Sequence, residues 1–184
     1  PQWYKDLVPS TLVPAVLFYG DDDKKDRRIV WESDEILKSL DEDFPDSPQL
    51  MLKTPEFEAA LKMNEKLQSA GFRYSYGNST ISEDEKMERE TTFKECLDEL
   101  DTALLEENDG PFRLGPEFTG IDAIMIPNLE RYRYQLTITK EFDILDGRPN
   151  IQKWFDAMDS YGPYSDRVAG DKYSWTAAAS VYLR

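Results

Sequence analysis

The feature that most constrains this chain is a break. Phe44-Pro45-Asp46-Ser47-Pro48 sets two prolines within five residues. A proline supplies no backbone donor and disfavours helix in the residue before it, so no regular element runs through such a stretch. The patterns on its two sides differ in kind. Before it, Val13–Tyr19 and Arg28–Trp31 form two short runs separated by the polar stretch Gly20 to Asp26, which predicts an antiparallel hairpin. From Ser33 onward Ile36, Leu37 and Leu40 fall at helical spacing, predicting one helix that stops before Phe44.

Beyond the prolines the periodicity is helical throughout. Thr54-Pro55 opens a helix as cap and first-turn proline, with Phe57, Leu61 and Leu67 near one stripe and an expected end at Ala70-Gly71. Gly77-Asn78-Ser79-Thr80 reads as a polar loop, its Asn-X-Thr sequon notwithstanding. A long helix over about 83–107 carries Phe93, Leu97, Leu100 and Leu104 four, three and four apart, with Cys96 beside that stripe. Cys96 therefore reads as a half-buried structural cysteine rather than a reactive thiol. Thr119 and Asp122 make a capping box, with Asp in the usual place of Glu, at the head of a helix bearing Ile121, Ile124, Met125 and Leu129. Pro127 lies inside that helix and bends it. A further helix starts at Pro149 with Ile151, Trp154, Phe155 and Met158 inward, and Tyr161-Gly162-Pro163-Tyr164 breaks the chain before a short helical turn. The expectation is a hairpin-plus-helix unit, a linker and a bundle of about five helices.

Composition removes several kinds of function. The 184 residues include 22 Lys plus Arg against 37 Asp plus Glu, a net charge of −15, which repels phosphate backbones and argues against nucleic acid as a partner. With no histidine, neither a Ser-His-Asp nor a Cys-His system can form, nor a zinc site built on imidazole. One cysteine excludes a disulfide within the chain. No apolar run approaches the length of a membrane span, and no metal site is expected. The chain opens on Pro1 rather than Met, so a processed or trimmed form is expected, which leaves room for a targeting segment.

Two short motifs carry chemical meaning. Val13-Pro14 heads the first strand, where a proline belongs because it cannot donate to a ladder. It reads equally as a plain strand start, or as a cis peptide that turns the N–H and C=O of Val13 outward toward an extended peptide. Glu32-Ser33 stands where the second strand becomes a helix. Ser33 as a helix cap explains it; with a ligand, the free amides and the hydroxyl would hold a carboxylate while Glu32 pairs with an amine.

The order of these features resembles the glutathione transferase family, over nearly the whole chain. Trp3, Val8, Pro9 and Leu12–Leu17 are similar to its stretch from the second helix into the cis-proline strand. Glu32-Ser33 with Ile36-Leu37-Leu40-Asp41-Phe44-Pro45 is similar to its Glu-Ser motif and third helix. Thr119–Asp122, Pro127 and Pro149-Ile151-Trp154-Phe155 resemble its helical domain. The resemblance implies a mainly α fold: the C-terminal half of a thioredoxin-like domain over 1–45, a linker over 46–54, and an all-helical domain of the family's C-terminal kind over 55–184. It implies glutathione as ligand, with Val13 bonding the cysteinyl part through its backbone, Pro14 as the cis-proline, and Glu32 with Ser33 holding the γ-glutamyl end. Leu129–Arg133, Phe142-Asp143 and Asp146–Pro149 look most like glutathione-transferase-like proteins of plants and algae, some of them plastid proteins.

The departures matter as much. The residue that activates the glutathione sulfur in this family belongs to a strand–helix unit expected before Pro1, so no catalytic residue is assigned, Tyr4 included. Leu12 stands where a basic residue usually precedes Val-Pro, and the acidic stretch Asp21 to Asp26 would repel an anionic tripeptide near the site. The expected function is accordingly a binding or accessory subunit, within a larger chloroplast (photosynthetic) complex and with protein partners, a homodimer being compatible. The alternatives are a cytoplasmic location, an active glutathione-dependent transferase or thiol reductase, and a helical domain that has lost its ligand.

Overall fold

The computed structural model describes residues 1–10, 13–20, 27–76, 80–106, 109–166 and 172–182. It is mainly α-helical, with a partial thioredoxin-like unit. The chain divides into two compact units, Pro1–Leu52 and Lys53–Arg184. The acidic stretch 21–26, Leu12 and residues 77–79 of the predicted polar loop lie outside the described residues.

The first unit runs α1 (Gln2–Leu7), β1 (Ala15–Tyr19), β2 (Arg27–Trp31) and α2 (Ser33–Asp43). The strands pair antiparallel, from Ala15 opposite Trp31 to Tyr19 opposite Arg27. The predicted hairpin and helix are present, and α2 packs on both strands. Burial here is shallow. Val8, Ile36 and Ser39 are the buried residues among those described, while β1 is half-buried along most of its length. The Arg28 guanidinium lies 4.8 Å above the Phe18 ring and pairs with Asp43 at 2.7 Å, tying β2 to the end of α2. After the prolines, the Asp41 carboxylate accepts the amides of Leu50 and Met51 and so holds the outgoing chain against α2.

The second unit comprises α3 (Pro55–Ser75), α4 (Glu83–Glu106), α5 (Gly120–Lys140), α6 (Pro149–Ser160), α7 (Gly162–Ser165) and α8 (Lys172–Tyr182). Its core is the predicted stripes meeting: Phe93, Leu97 and Leu100 of α4, Ile121, Met125 and Leu129 of α5, and Ile151, Trp154, Phe155 and Met158 of α6. α3 packs on α4 and α5, α4 on α6, and α8 on α5. Tyr74, Phe93, Tyr132 and Phe142 form a chain of ring contacts at 5.2–5.9 Å. Pro127 sits on an exposed face of α5, where water can reach the backbone group that its missing N–H leaves unpaired.

Three expectations are corrected. α3 does not stop at Gly71 but runs to Ser75. Gly71 is buried, and a Cβ there would collide with the Tyr132 ring, so this glycine serves close helix–helix approach rather than termination. Among the described residues the bundle comprises six helices, and α8 is longer than the short helical turn expected after Tyr164. Its sequence KYSWTAAASVY has almost no charge and so no polar–apolar alternation for periodicity to detect. Cys96 is buried outright, at 2% exposure.

Candidate functional site

Antiparallel register decides which residues share an end of the hairpin. Because Ala15 faces Trp31, the residues one and two steps beyond that pair are Pro14 and Val13 on one strand and Glu32 and Ser33 on the other. All four sequence-predicted residues therefore lie together at the end of the ladder where β2 passes into α2. The Val13–Pro14 peptide bond is cis. The Val13 side chain is 79% exposed, and neither its N–H nor its C=O bonds another described residue.

Glu32 takes φ 69° and ψ 125° as the residue preceding α2. A side chain at positive φ is strained by about 1–3 kcal/mol, and such strain concentrates at sites that use it. The conformation turns the chain sharply from strand into helix and leaves the Glu32 side chain exposed. Ser33 is then the first helical residue rather than the cap, and no side chain caps α2. The reading of Ser33 as a simple helix cap is thus overturned. The Glu32 carbonyl accepts the Ile36 amide at 3.0 Å, so the amides of Ser33, Asp34 and Glu35 remain without a partner among the described residues. These three N–H groups stand at the positive end of the helix with the Ser33 hydroxyl beside them, an arrangement of donors that suits a carboxylate. Asp34 and Glu35 in the same turn oppose an incoming anion, and Lys38 partly neutralises Glu35 through a 2.7 Å ion pair.

A second feature lies wholly within the helical unit. A groove of about 440 Å³ between α3 and α5 is lined by Glu65, Phe72, Arg73, Tyr76, Arg131 and Tyr132, among others. Neither Arg73 nor Arg131 forms an ion pair with a described residue, and the buried Nε of Arg131 has no partner. Two guanidinium groups without an ion pair to a described residue thus stand near the exposed Phe72 ring, with the Glu65 carboxylate on the same lining. The Tyr132 phenol donates to the Gln68 carbonyl at 3.2 Å, and burial pushes its pKa up to about 12, so it serves as a neutral donor and not a base. Sequence reasoning missed this groove because Arg73 and Arg131 are far apart in the chain; the remaining signal was two arginines against so acidic a background.

The family described as glutathione S-transferase, C-terminal domain, matches residues 84–157. Glutathione S-transferase L2, chloroplastic, of Arabidopsis thaliana is 30% identical over 168 residues, covering 90% of this chain and 52% of the relative. Protein IN2-1 homolog B of Oryza sativa is 27% identical over 169 residues, covering 90% of this chain and 63% of the relative. These matches support a glutathione transferase family assignment. The chain spans less than two thirds of the length of these two relatives. Among solved structures, the trimeric glutathione transferase TDR1 of Leishmania superposes with a TM-score of 0.74 at 20% identity, over 97% of this chain and 42% of that one, a likeness of fold.

Against the family's chemistry, the one thiol of this chain is poorly placed. Burial pushes the Cys96 thiol pKa up, against a smaller opposing pull from Lys66, so it stays protonated inside the bundle. Among the described residues no cluster of three or more acidic, cysteine or histidine side chains could hold a metal ion, and no helix is long and apolar enough to cross a membrane.

Proposed function

We propose that this chain binds glutathione at the hairpin end of its first unit and takes an aromatic anion in the α3–α5 groove, acting as a binding or accessory subunit. The observation that carries the reading is the uncapped N-terminus of α2 standing beside the unbonded backbone of Val13. An extended tripeptide offers what each part lacks. Its cysteinyl backbone pairs with Val13 next to Pro14, as a short strand would. Its γ-glutamyl carboxylate meets the free amides and hydroxyl of Ser33, and its ammonium meets Glu32.

In this reading Val13, Pro14, Glu32 and Ser33 engage the backbone and the γ-glutamyl end of the tripeptide, and none of them is assigned to its sulfur. Binding therefore comes before chemistry in this reading. Placement in a chloroplast, within a larger complex, is part of the same proposal and draws support from the chloroplastic relative. The relatives' names and the cationic groove favour a second reading, an active glutathione-dependent transferase that also uses residues beyond these units.

Isothermal titration of the full-length protein with glutathione tests the first reading, alongside a conjugation assay with a chlorinated aromatic. Saturable glutathione binding without turnover is expected. Turnover moves the protein to the second reading, and the absence of any binding heat removes both.

A further inference from the structure

α5 borders a second groove on another of its faces. Arg133, Tyr134, Thr137 and Ile138 follow at the spacing of one helical face, whereas Asn128, Arg131 and Tyr132 line the α3–α5 groove. The first four form one side of a groove of about 470 Å³, with Asp143 and Leu145 of the α5–α6 connection among its other walls. Grooves that take small ligands commonly enclose about 300–1,000 Å³.

The charges of this groove do not neutralise each other. The Arg133 guanidinium lies 4.8 Å from the centre of the buried Phe155 ring and 5.6 Å from that of Tyr134. Stacking fixes the guanidinium plane and leaves its N–H edge open. Arg133 forms no ion pair with a described residue. Asp143 is exposed, and its carboxylate accepts the Leu145 amide at 2.9 Å but meets no cation among the described residues. Beside these two charges stand Ile138, at 45% exposure, and the half-buried Leu145. An anion alone meets Arg133 but is repelled by Asp143 and by a chain of net charge −15. A cation alone meets Asp143 but is repelled by Arg133. A zwitterion with an aliphatic body answers both charges and carries no net charge of its own.

We propose that this groove binds a short aliphatic peptide in its free, zwitterionic form. The peptide carboxylate pairs with Arg133, its ammonium with Asp143, and its side chains pack on Ile138 and Leu145. The site shares no residue with the one proposed for glutathione and does not depend on it.

Leucyl-leucine is the probe, titrated calorimetrically into the full-length protein beside its N-acetyl and C-amide forms. Saturable binding of the free dipeptide is expected, with each capped form about tenfold weaker, the size of one charge-assisted bond lost. Arg133→Gln should remove the preference for a free carboxylate and keep that for a free ammonium. Asp143→Asn, which retains an acceptor for the Leu145 amide, should do the reverse. Ile138→Ser should weaken all three forms alike. Glutathione should not displace the dipeptide. If Arg133→Gln fails to fold, Asp143→Asn and the capped forms decide alone. Absence of saturable binding, equal affinity for free and capped forms, or displacement by glutathione overturns the proposal. So do preferences that survive the substitutions.

Discussion

The helix starts of the two units are built on opposite plans. In the helical unit, side chains close the starts of the four long helices α3 to α6. Thr54 accepts the Phe57 amide at the head of α3, and Ser82 accepts the Glu85 amide at the head of α4. The capping box of Thr119 and Asp122 closes α5, and Asp101, reaching across from α4, accepts the amides of Asn150 and Ile151 at the head of α6. In the first unit α2 has no such partner, and the residue before it is held at positive φ. Closed starts satisfy their own amides; the start of α2 leaves its first amides without a partner among the described residues. Two segments with equal helical periodicity can therefore differ in purpose through the fate of three or four amides.

The comparison breaks most visibly at Asp122. This fully buried carboxylate accepts from the Arg113 and Thr119 amides, the Thr119 hydroxyl and the Trp154 indole at 2.8–3.0 Å. Asp122→Ala orphans those donors and is expected to destabilise the protein by about 3–5 kcal/mol, measured by urea unfolding. A loss no larger than that of Ser33→Ala would mean that the closed starts are not what holds the bundle. Next comes Gly71→Ala, whose added methyl collides with the Tyr132 ring; overpacking of this kind costs about 1–3 kcal/mol.

Opposite behaviour is expected at α2. Glu32→Gly relieves the positive φ and should stabilise by about 1 kcal/mol, while weakening glutathione binding about tenfold. Ser33→Ala should leave the unfolding midpoint within about 0.5 kcal/mol of wild type and still weaken glutathione in a calorimetric titration, since it removes a ligand donor and no cap. A large stability loss in either variant would make α2 a closed start after all.

The smallest effect concerns pH. Tyr74 and Tyr132 both have phenol pKa values pushed up to about 12, chiefly by burial. Because the folded state holds these protons more tightly than the unfolded chain, the resulting stabilisation is fully present below pH 10. It is lost as pH climbs from 10 through about 12. Absorbance titration should show two of the ten tyrosines ionising late, and Tyr74→Phe should flatten part of the alkaline fall in stability.

Much of the architecture was legible, for reasons that these residues make plain. The α4, α5 and α6 stripes follow from apolar side chains at helical spacing, and the hairpin from two short runs around a polar stretch. Local chemistry also announced the Thr54 and Thr119 caps. The end of α3 was misplaced because a glycine marks both helix ends and close packing, and only the Tyr132 ring decides which applies at Gly71. For Ser33, sequence identity cannot show whether the hydroxyl bonds its own helix, since a cap depends on the φ and ψ of Glu32.

What the amino-acid sequence determined by itself is the set of elements and the order of family motifs, because spacing, turn residues and proline act within a few neighbours. What only the tertiary structure decided is which polar groups meet. Hairpin register sets Pro14 and Val13 beside Glu32 and Ser33. Helix packing brings Arg73 to Arg131, and Trp175 to both Glu130 and Arg131. Those encounters join residues tens of positions apart, and their geometry depends on how whole elements pack rather than on any local preference of the chain.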